Sequence, residues 1–247
     1  MEIRQMAERW EAWEGSGRVG TAHVWDRPDG KRFAWFDPVE ADLIAALCGV
    51  IGADRPVHTL ADTAEQRMQR QLGAAGFVGE RYEHDWTLPV AEAAGWDDAA
   101  LAGFRVGSPE TFGMDAVRRF DDEIRADIPG LRGWRSDTGF WADEHASGYD
   151  PAVYPVAWDP EGECFAGIVR VWMTESGPRL GLVAAARPCR GRGVAAALLG
   201  RAFRVLRERG HRTVATECDA ANPFSKALLE RAGGTIIGGT YEFVRHP

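Results

Sequence analysis

Lysine is almost missing from this chain. Only Lys31 and Lys226 occur, and arginine carries the rest of the positive charge. That skew matches a coding bias and says nothing about function. The other absences are more informative. No apolar run approaches the ~20 residues that a membrane-spanning helix needs. Met1-Glu2-Ile3-Arg4 opens on charge, not on the apolar stretch of a leader. The four cysteines, Cys48, Cys164, Cys189 and Cys218, stand far apart, with no C-x-x-C pair and no histidine at zinc spacing. They read as reduced thiols in a cytoplasmic protein, and no metal site is expected. Neither G-x-G-x-x-G nor G-K-[ST] occurs, which excludes a Rossmann fingerprint and a Walker loop. The formal net charge of −8 argues against a general nucleic-acid binder or docking on an anionic membrane, since both need a basic face. An acidic protein can still hold a basic pocket, and its field favours cationic partners such as amines.

What is present describes a globular α/β (α+β) protein. Hydrophobic residues make up 45% and charged residues 27% of 247, enough apolar side chains for one large domain or two modest ones. From the C-terminal end, Tyr154–Trp158 and Cys164–Met173 read as strands joined by the turn at 159–162. In the second strand Ile168, Arg170 and Trp172 alternate with Val169, Val171 and Met173. Leu180–Ala186 reads as a buried strand and Val194–Arg209 as a helix closed by Gly210. Thr213–Asp219 is a strand, and Asn222 caps a short helix with Pro223 in its first turn. Thr235–Ile237 and Thr240–Arg245 are two final strands. Upstream, Gly103–Gly107 is expected as a strand, and Met114–Ile128 and Trp134–Glu144 as helices.

The N-terminal part repeats this order faintly. A helix is expected over Ile3–Trp13, then strands Gly20–Asp26 and Arg32–Phe36 around the turn Arg27-Pro28-Asp29-Gly30. Helix Val39–Ile51, strand Val57–Leu60, helix Ala64–Ala75 and strand Glu80–Leu88 come next. Pro89–Asp98 is the expected linker, dividing the chain into 1–90 and 99–247.

The chemistry concentrates in Arg190-Gly191-Arg192-Gly193-Val194-Ala195, between a buried strand and the first turn of a helix. A helix N-terminus presents unpaired N–H groups and partial positive charge. Glycines at 191 and 193 let the backbone curl so that successive N–H groups converge, and a diphosphate fits that point. Ala195 is small enough to let the anion approach, and Arg190 and Arg192 add charge.

This loop resembles the cofactor motif [QR]-x-x-G-x-[GA] of the GNAT acetyltransferase superfamily, matched in register by Arg190, Gly193 and Ala195. Pro188, the long helix after the loop, and Asn222 after the next strand fit the same pattern. The resemblance covers about residues 100–247, and the N-terminal part is similar to a second, degenerate unit, as in tandem proteins of that superfamily. It implies a GNAT fold, a mixed central sheet flanked by helices in two tandem units, with acetyl-coenzyme A (acetyl-CoA) as co-substrate. The backbone of Ala184, Ala185 and Ala186 would face the pantetheine arm. The N–H groups of Gly191 to Ala195 (including Val194) would hold the pyrophosphate, and Asn222 and Ser225 would flank the pantetheine. The implied activity is acetyl transfer to a primary amine of a small molecule or protein, by a monomer or homodimer; a non-catalytic acyl-CoA-binding module is the alternative. The equivalent N-terminal stretch, Phe36–Asp42, has no glycine and three carboxylates, so that unit is expected not to bind coenzyme A.

Many members of the superfamily use a tyrosine seven residues after the motif asparagine. Here that position is Leu229. Tyr241, Tyr154 or water could supply the acid instead. For the base, Glu217 and Asp219 alternate onto one face of their strand, and Glu217 is favoured over Glu175. Cys218 is expected in the core, His84 at the surface or in a structural role, and Trp86, Trp141 and Trp172 in the core or an acceptor pocket.

Overall fold

The computed structural model describes residues 1–6, 9–38, 40–146 and 148–247. Contacts divide the chain into two units, Met1–Glu83 with Gly238–Pro247, and His84–Ile237. The chain begins with β1 (Glu2–Met6), β2 (Arg9–Glu14), β3 (Gly17–Asp26), β4 (Arg32–Asp37), α1 (Ala41–Ile51), β5 (Val57–Asp62), α2 (Gln66–Ala74) and β6 (Val78–Pro89). It continues with α3 (Val90–Ala94), β7 (Arg105–Gly107), α4 (Pro109–Phe112), α5 (Met114–Arg125), α6 (Thr138–Ala146), β8 (Val156–Asp159) and β9 (Cys164–Thr174). It ends with β10 (Gly177–Ala185), α7 (Val194–Glu208), β11 (Thr213–Asp219), α8 (Pro223–Arg231) and β12 (Thr235–Arg245). Among the described residues, no helix is long and apolar enough to cross a membrane.

In the first unit the strand order is β1-β2-β3-β4-β5-β12. The expected helix over Ile3–Trp13 is a hairpin instead: β1 and β2 pair antiparallel, from Glu2↔Trp13 to Met6↔Arg9. Ala7 and Glu8 lie outside the described residues, as does Val39, the expected first residue of a helix. Met6, Trp10 and Trp13 are spaced as on a helix, but β3 offers an open edge, and β2 takes it from Arg9↔His23 to Glu14↔Gly17. Edge pairing satisfies a full row of backbone groups and overrides local spacing. Phe36, Ile44, Leu47, Ile51 and Leu72 make the core of this unit, where α1 and α2 pack on the sheet.

The sequence division at 90–98 assigns the chain's last strand to the second unit. The contacts place Gly238–Pro247 in the first, where β12 pairs antiparallel with β5 from Thr240↔Asp62 to Arg245↔Val57. β12 is also one strand, not two. Gly239 permits this: a Cβ there would lie 2.1 Å from the Tyr82 hydroxyl and 2.7 Å from Glu83 O. Pro89–Asp98 is no free linker, because Val90, Ala93 and Ala94 of α3 are buried. Gly200 of α7 lets that turn come close; a Cβ there would sit 3.1 Å from Ala93 O.

Glu242 of β12 is buried within a basic ring. Lys31 Nζ is 2.6 Å from it, His58 Nδ1 3.2 Å and Arg81 NH2 3.1 Å. His58, Glu80 and Glu242 have ligand atoms within 4.8 Å of one another, as a metal site would, but the Lys31 ammonium already bridges both carboxylates. Burial pushes the Glu242 carboxyl up; His58, Lys31 and Arg81 together outweigh it and hold the group well below its ordinary 4.5.

The second unit has strand order β6-β11-β10-β9-β8-β7. β9 explains its layering. Val169 and Val171 face the core beneath α7, with Leu198, Ala202 and Phe203. Ile168 and Trp172 face the opposite core beneath α5 and α6, with Val117, Phe120 and Trp141. The period-two alternation of the sequence is therefore a two-sided burial. In β10 that alternation breaks. Leu180 pairs with Val171 and Leu182 with Arg170, so Gly181 is the extra residue of a β-bulge. The bulge moves Leu180 to one core and Leu182 to the other. Under α5 a charge cluster is sealed in: Asp121, fully buried, binds Arg125 and, at 3.0 Å, Arg170.

Both buried carboxylates can be tested by unfolding. Removing Asp121 strands two buried guanidinium groups, so Asp121→Ala should lower stability by about 3–5 kcal/mol, measured by urea unfolding. Glu242 has a depressed folded-state pKa, so its stabilisation is fully present above pH 4.5 and is lost progressively as pH falls from there toward the lower folded-state value. The urea midpoint should drop on acidification below that point, and Glu242→Gln should show a shallower drop.

Candidate functional site

The site is built where β10 leaves its neighbour. β10 and β11 run parallel and share one register pair, Arg179↔Ala215, with Thr216 Oγ1 donating to Leu180 O at 2.8 Å. Past the Gly181 bulge no pairing between them remains, while β10 stays zipped to β9 as far as Ala185↔Gly167. Ala186 N donates to Ala166 O at 2.9 Å, on the β9 side. Hydrogen bonding alternates along a strand, so Ala184 shares that side and Val183 and Ala185 face the vacated edge. Ala185 O accepts there from Arg190 Nε at 3.3 Å.

The loop after β10 opens the N-terminus of α7. A short 3-10 turn, Arg187–Cys189, precedes it, with Pro188 in its first turn. Gly191 has φ +74° and Gly193 φ +82°, conformations that a side chain opposes. Gly193 is the N-cap, and the first α-helical bond runs from Ala197 N to Gly193 O at 3.0 Å. Among the described residues, no backbone group accepts from the amides of Gly193, Val194, Ala195 or Ala196. These four N–H groups, with the partial positive charge of a 15-residue helix behind them, form a concave donor set for an anion.

The arginines of the loop are already engaged. Arg190 binds Asp127 at 2.6 Å and Arg187 binds the same carboxylate at 2.8 Å. Hydrogen bonds from Arg187 and Arg190 hold the Asp127 carboxyl well below the usual carboxylate range. Arg192 lies over the Phe104 ring, 5.2 Å from its centroid, and reaches Cys189 Sγ at 3.8 Å. The sequence does not single out Asp127 and Arg187, because nothing local pairs residues sixty positions apart.

On the far side, Asn222 Oδ1 accepts from Ser225 N at 3.1 Å, capping α8 as its spacing implies. Leu229, at the position where a proton donor is expected, is buried in the core with Leu198 and Val214. Glu217 is forked by Arg179, with Nε to Oε1 at 3.1 Å and NH2 to Oε2. Each of its oxygens accepts one N–H of that guanidinium, so in this arrangement the carboxylate serves as an ion-pair partner. Asp219 is buried and accepts from Ala221 N at 2.7 Å. Glu175 is exposed in the turn before β10, whereas the loop leaves the strand's other end. Cys218 is in the core, as are Trp86, Trp141 and Trp172. Tyr241 belongs to the first unit, on β12 opposite Ala61, its ring 4.6 Å from that of Tyr82. Ala184–Ala186, the loop, Asn222, Ser225 and Glu217 all belong to the second unit.

The start of α1 in the first unit differs. Its N-cap Glu40 makes no side-chain cap, and Gln71 Oε1 accepts from Ala41 N at 2.8 Å. An amide that is free in α7 is satisfied within the protein here.

The acetyltransferase (GNAT) family model matches residues 119–234. No curated protein matches the chain. Solved structures match at fold level over nearly its whole length. A GCN5-related N-acetyltransferase from Sphaerobacter thermophilus aligns with TM-score 0.66 and 18% identity, covering 97% of this chain and 81% of that one. A tandem GNAT protein from the clavulanic acid biosynthesis pathway aligns with TM-score 0.66 and 16% identity, over 96% and 81%. An acetyltransferase from the GNAT family of Colwellia psychrerythraea aligns with TM-score 0.58 and 15% identity, over 96% and 85%.

The left-handed turn at the start of α7 can be probed directly. Gly193→Ala forces a side chain into a left-handed residue and sets its Cβ 3.1 Å from that of Ala100. It should cost about 1–2 kcal/mol in urea unfolding without changing the circular dichroism spectrum.

Proposed function

We propose that the chain transfers an acetyl group from acetyl-CoA to a primary amine of a small molecule or protein, a reading supported by the match of residues 119–234 to the acetyltransferase (GNAT) family model. One observation carries the reading: the open amides of α7 stand beside a strand that has parted from its parallel neighbour. A pyrophosphate satisfies the amides of Gly193 to Ala196 and takes Arg187 and Arg190 over from Asp127. The parted edge of β10, Val183 and Ala185, offers strand-like hydrogen bonds to an extended amide-bearing arm such as pantetheine. Asn222 and Ser225 flank that arm from the start of α8.

One active site per chain is proposed, because the corresponding helix start in the first unit has its first amide taken by Gln71 and carries the carboxylates Glu40 and Asp42. Residues 1–90 would then serve as a degenerate unit and 99–247 as the catalytic one, with Gly238–Pro247 returned to the first. Leu229 has no proton to give and Tyr241 belongs to the first unit, so water remains the acid available to the departing thiolate. The buried Leu229 and the pairing of Glu217 with Arg179 also favour a second reading, a non-catalytic acyl-CoA-binding module. Thiol release with some amine in a broad panel separates the two.

The binding step is tested by thermal shift with acetyl-CoA. At 100 times its Kd the ligand should stabilise the protein by about 2.7 kcal/mol. Gly193→Glu, which places a carboxylate at the phosphate position, should abolish the shift. No shift in the native chain would refute the proposal, and an unchanged shift in the variant would move the site elsewhere.

A further inference from the structure

The second unit encloses a group of polar atoms that its own core leaves unsatisfied. Trp141 Nε1, Glu144 Oε2 and His145 Nε2 are buried without a hydrogen-bond partner among the described residues. Buried polar groups are normally paired, because an orphan loses its hydration and gains nothing in return. Three such atoms lie within one turn of a single helix face.

His145 is the hub. Its ring centroid lies 4.2 Å from Trp141, 5.0 Å from Trp172, 5.0 Å from Tyr149 and 5.7 Å from Tyr154. Its Nδ1 is 2.7 Å from Trp141 O. A carbonyl oxygen only accepts, so Nδ1 carries the hydrogen, and in the neutral ring Nε2 is a bare lone pair. Burial pushes the imidazole down from its ordinary value, more than Trp141 O raises it; Arg170 lowers it further and Asp121 opposes that. The ring is therefore neutral at physiological pH, a base with nothing to accept from. Arg170 is claimed by Asp121 at 3.0 Å and stands 3.8 Å from Glu144, whose Oε2 stays without a hydrogen bond. Aromatic faces and a carboxylate whose Oε2 makes no hydrogen bond suit an ammonium group. Ala184 and Ala186, at the parted end of β10, pack against this same aromatic cluster.

We propose that this enclosure is the acceptor pocket of the second unit, that it takes a small-molecule primary amine on a flat or apolar skeleton, and that His145 Nε2 removes the amine's proton. The proposal rests on the acetyl-transfer reading of the same domain. The ring walls and the burial favour a small molecule over the end of a protein chain. In the reaction, the ammonium gives one proton to Nε2. The freed nitrogen lone pair then forms the C–N bond to the thioester carbonyl carbon as the C–S bond breaks. The nitrogen's second proton goes to the departing thiolate, and His145 releases its proton to solvent. The products are an amide, coenzyme A thiol and one proton.

The test uses the full chain with benzylamine and tryptamine as probes, and a short peptide with a free N-terminus as contrast. ¹⁵N imidazole NMR should show His145 as the Nδ1–H tautomer, with its Nε2 resonance moved by the aromatic amines and not by the peptide. With whichever panel amine is turned over, His145→Phe should lower kcat/KM about 100-fold or more. The native kcat/KM profile should fall on the acid side of a midpoint below 6.5, a limb that His145→Gln lacks. The facing groups Glu144, Asp121, Arg170, Arg125, Tyr149 and Tyr154 are unchanged in both variants. The acetyl-CoA thermal shift of His145→Phe should equal that of the native chain, which separates this proposal from the binding step. An unmoved His145 resonance with both aromatic amines, or kcat/KM of His145→Phe within threefold of native, overturns it. A missing acetyl-CoA shift in the native chain overturns the acetyl-transfer reading instead.

Discussion

The second unit depends on one unmade pairing. Two parallel strands that begin in register would normally zip together to their ends. In this chain β10 and β11 stop after Arg179↔Ala215, because Gly181 adds a residue to β10 and rotates the remainder of the strand. The bulge has a steric reason as well. A Cβ at Gly181 would stand 3.0 Å from Trp172 Nε1 and 3.4 Å from Arg170 Nε. The same glycine that parts the strands therefore seats the side chains on which the aromatic cluster beneath α5 and α6 is built.

That parting gives the helix start its meaning. An open helix N-terminus on a protein surface is satisfied by water and says little. Here the four free amides of α7 come directly after a strand whose own edge is vacant, so donors for an anion and hydrogen-bonding groups for an extended arm lie along one path. The left-handed glycines at 191 and 193 turn the chain between them. In the first unit β4 and β5 are likewise paired only at Arg32↔Val57 and Phe33↔His58. There, however, Gln71 accepts from the first amide of the helix that follows, whereas, among the described residues, the first amide of α7 has no such partner.

Much of this is legible in the sequence. Glycines at φ > 0 before a helix, the asparagine cap of α8, the alternation in β9 and the helix face of α7 are local patterns, set by sterics within a few residues. The misreading at the N-terminus is local in kind too. Met6, Trp10 and Trp13 fit helical spacing, yet the open edge of β3 draws that segment into the sheet. The partners of charged residues are not legible. Asp127 meets Arg187 and Arg190 across about sixty residues, and Glu217 meets Arg179 across thirty-eight, because strand neighbours in a crossover sheet are distant in the chain. His145 does not stand out, since its only sequence signal, a tryptophan four residues earlier, is an ordinary helical spacing.

The form of the loop at 190–195 is thus determined by sequence alone: glycine permits the left-handed turns, and the helix that follows leaves its first amides open. The surroundings of the loop are decided only by the tertiary structure. The fold pairs Glu217 with Arg179, buries Leu229, sets Tyr241 in the first unit with β12, and leaves His145 Nε2 bare inside an aromatic wall. The reason is physical. Backbone conformation is a property of neighbours in the chain, whereas the state of an ionisable side chain depends on what burial and long-range pairing bring within hydrogen-bonding distance of it.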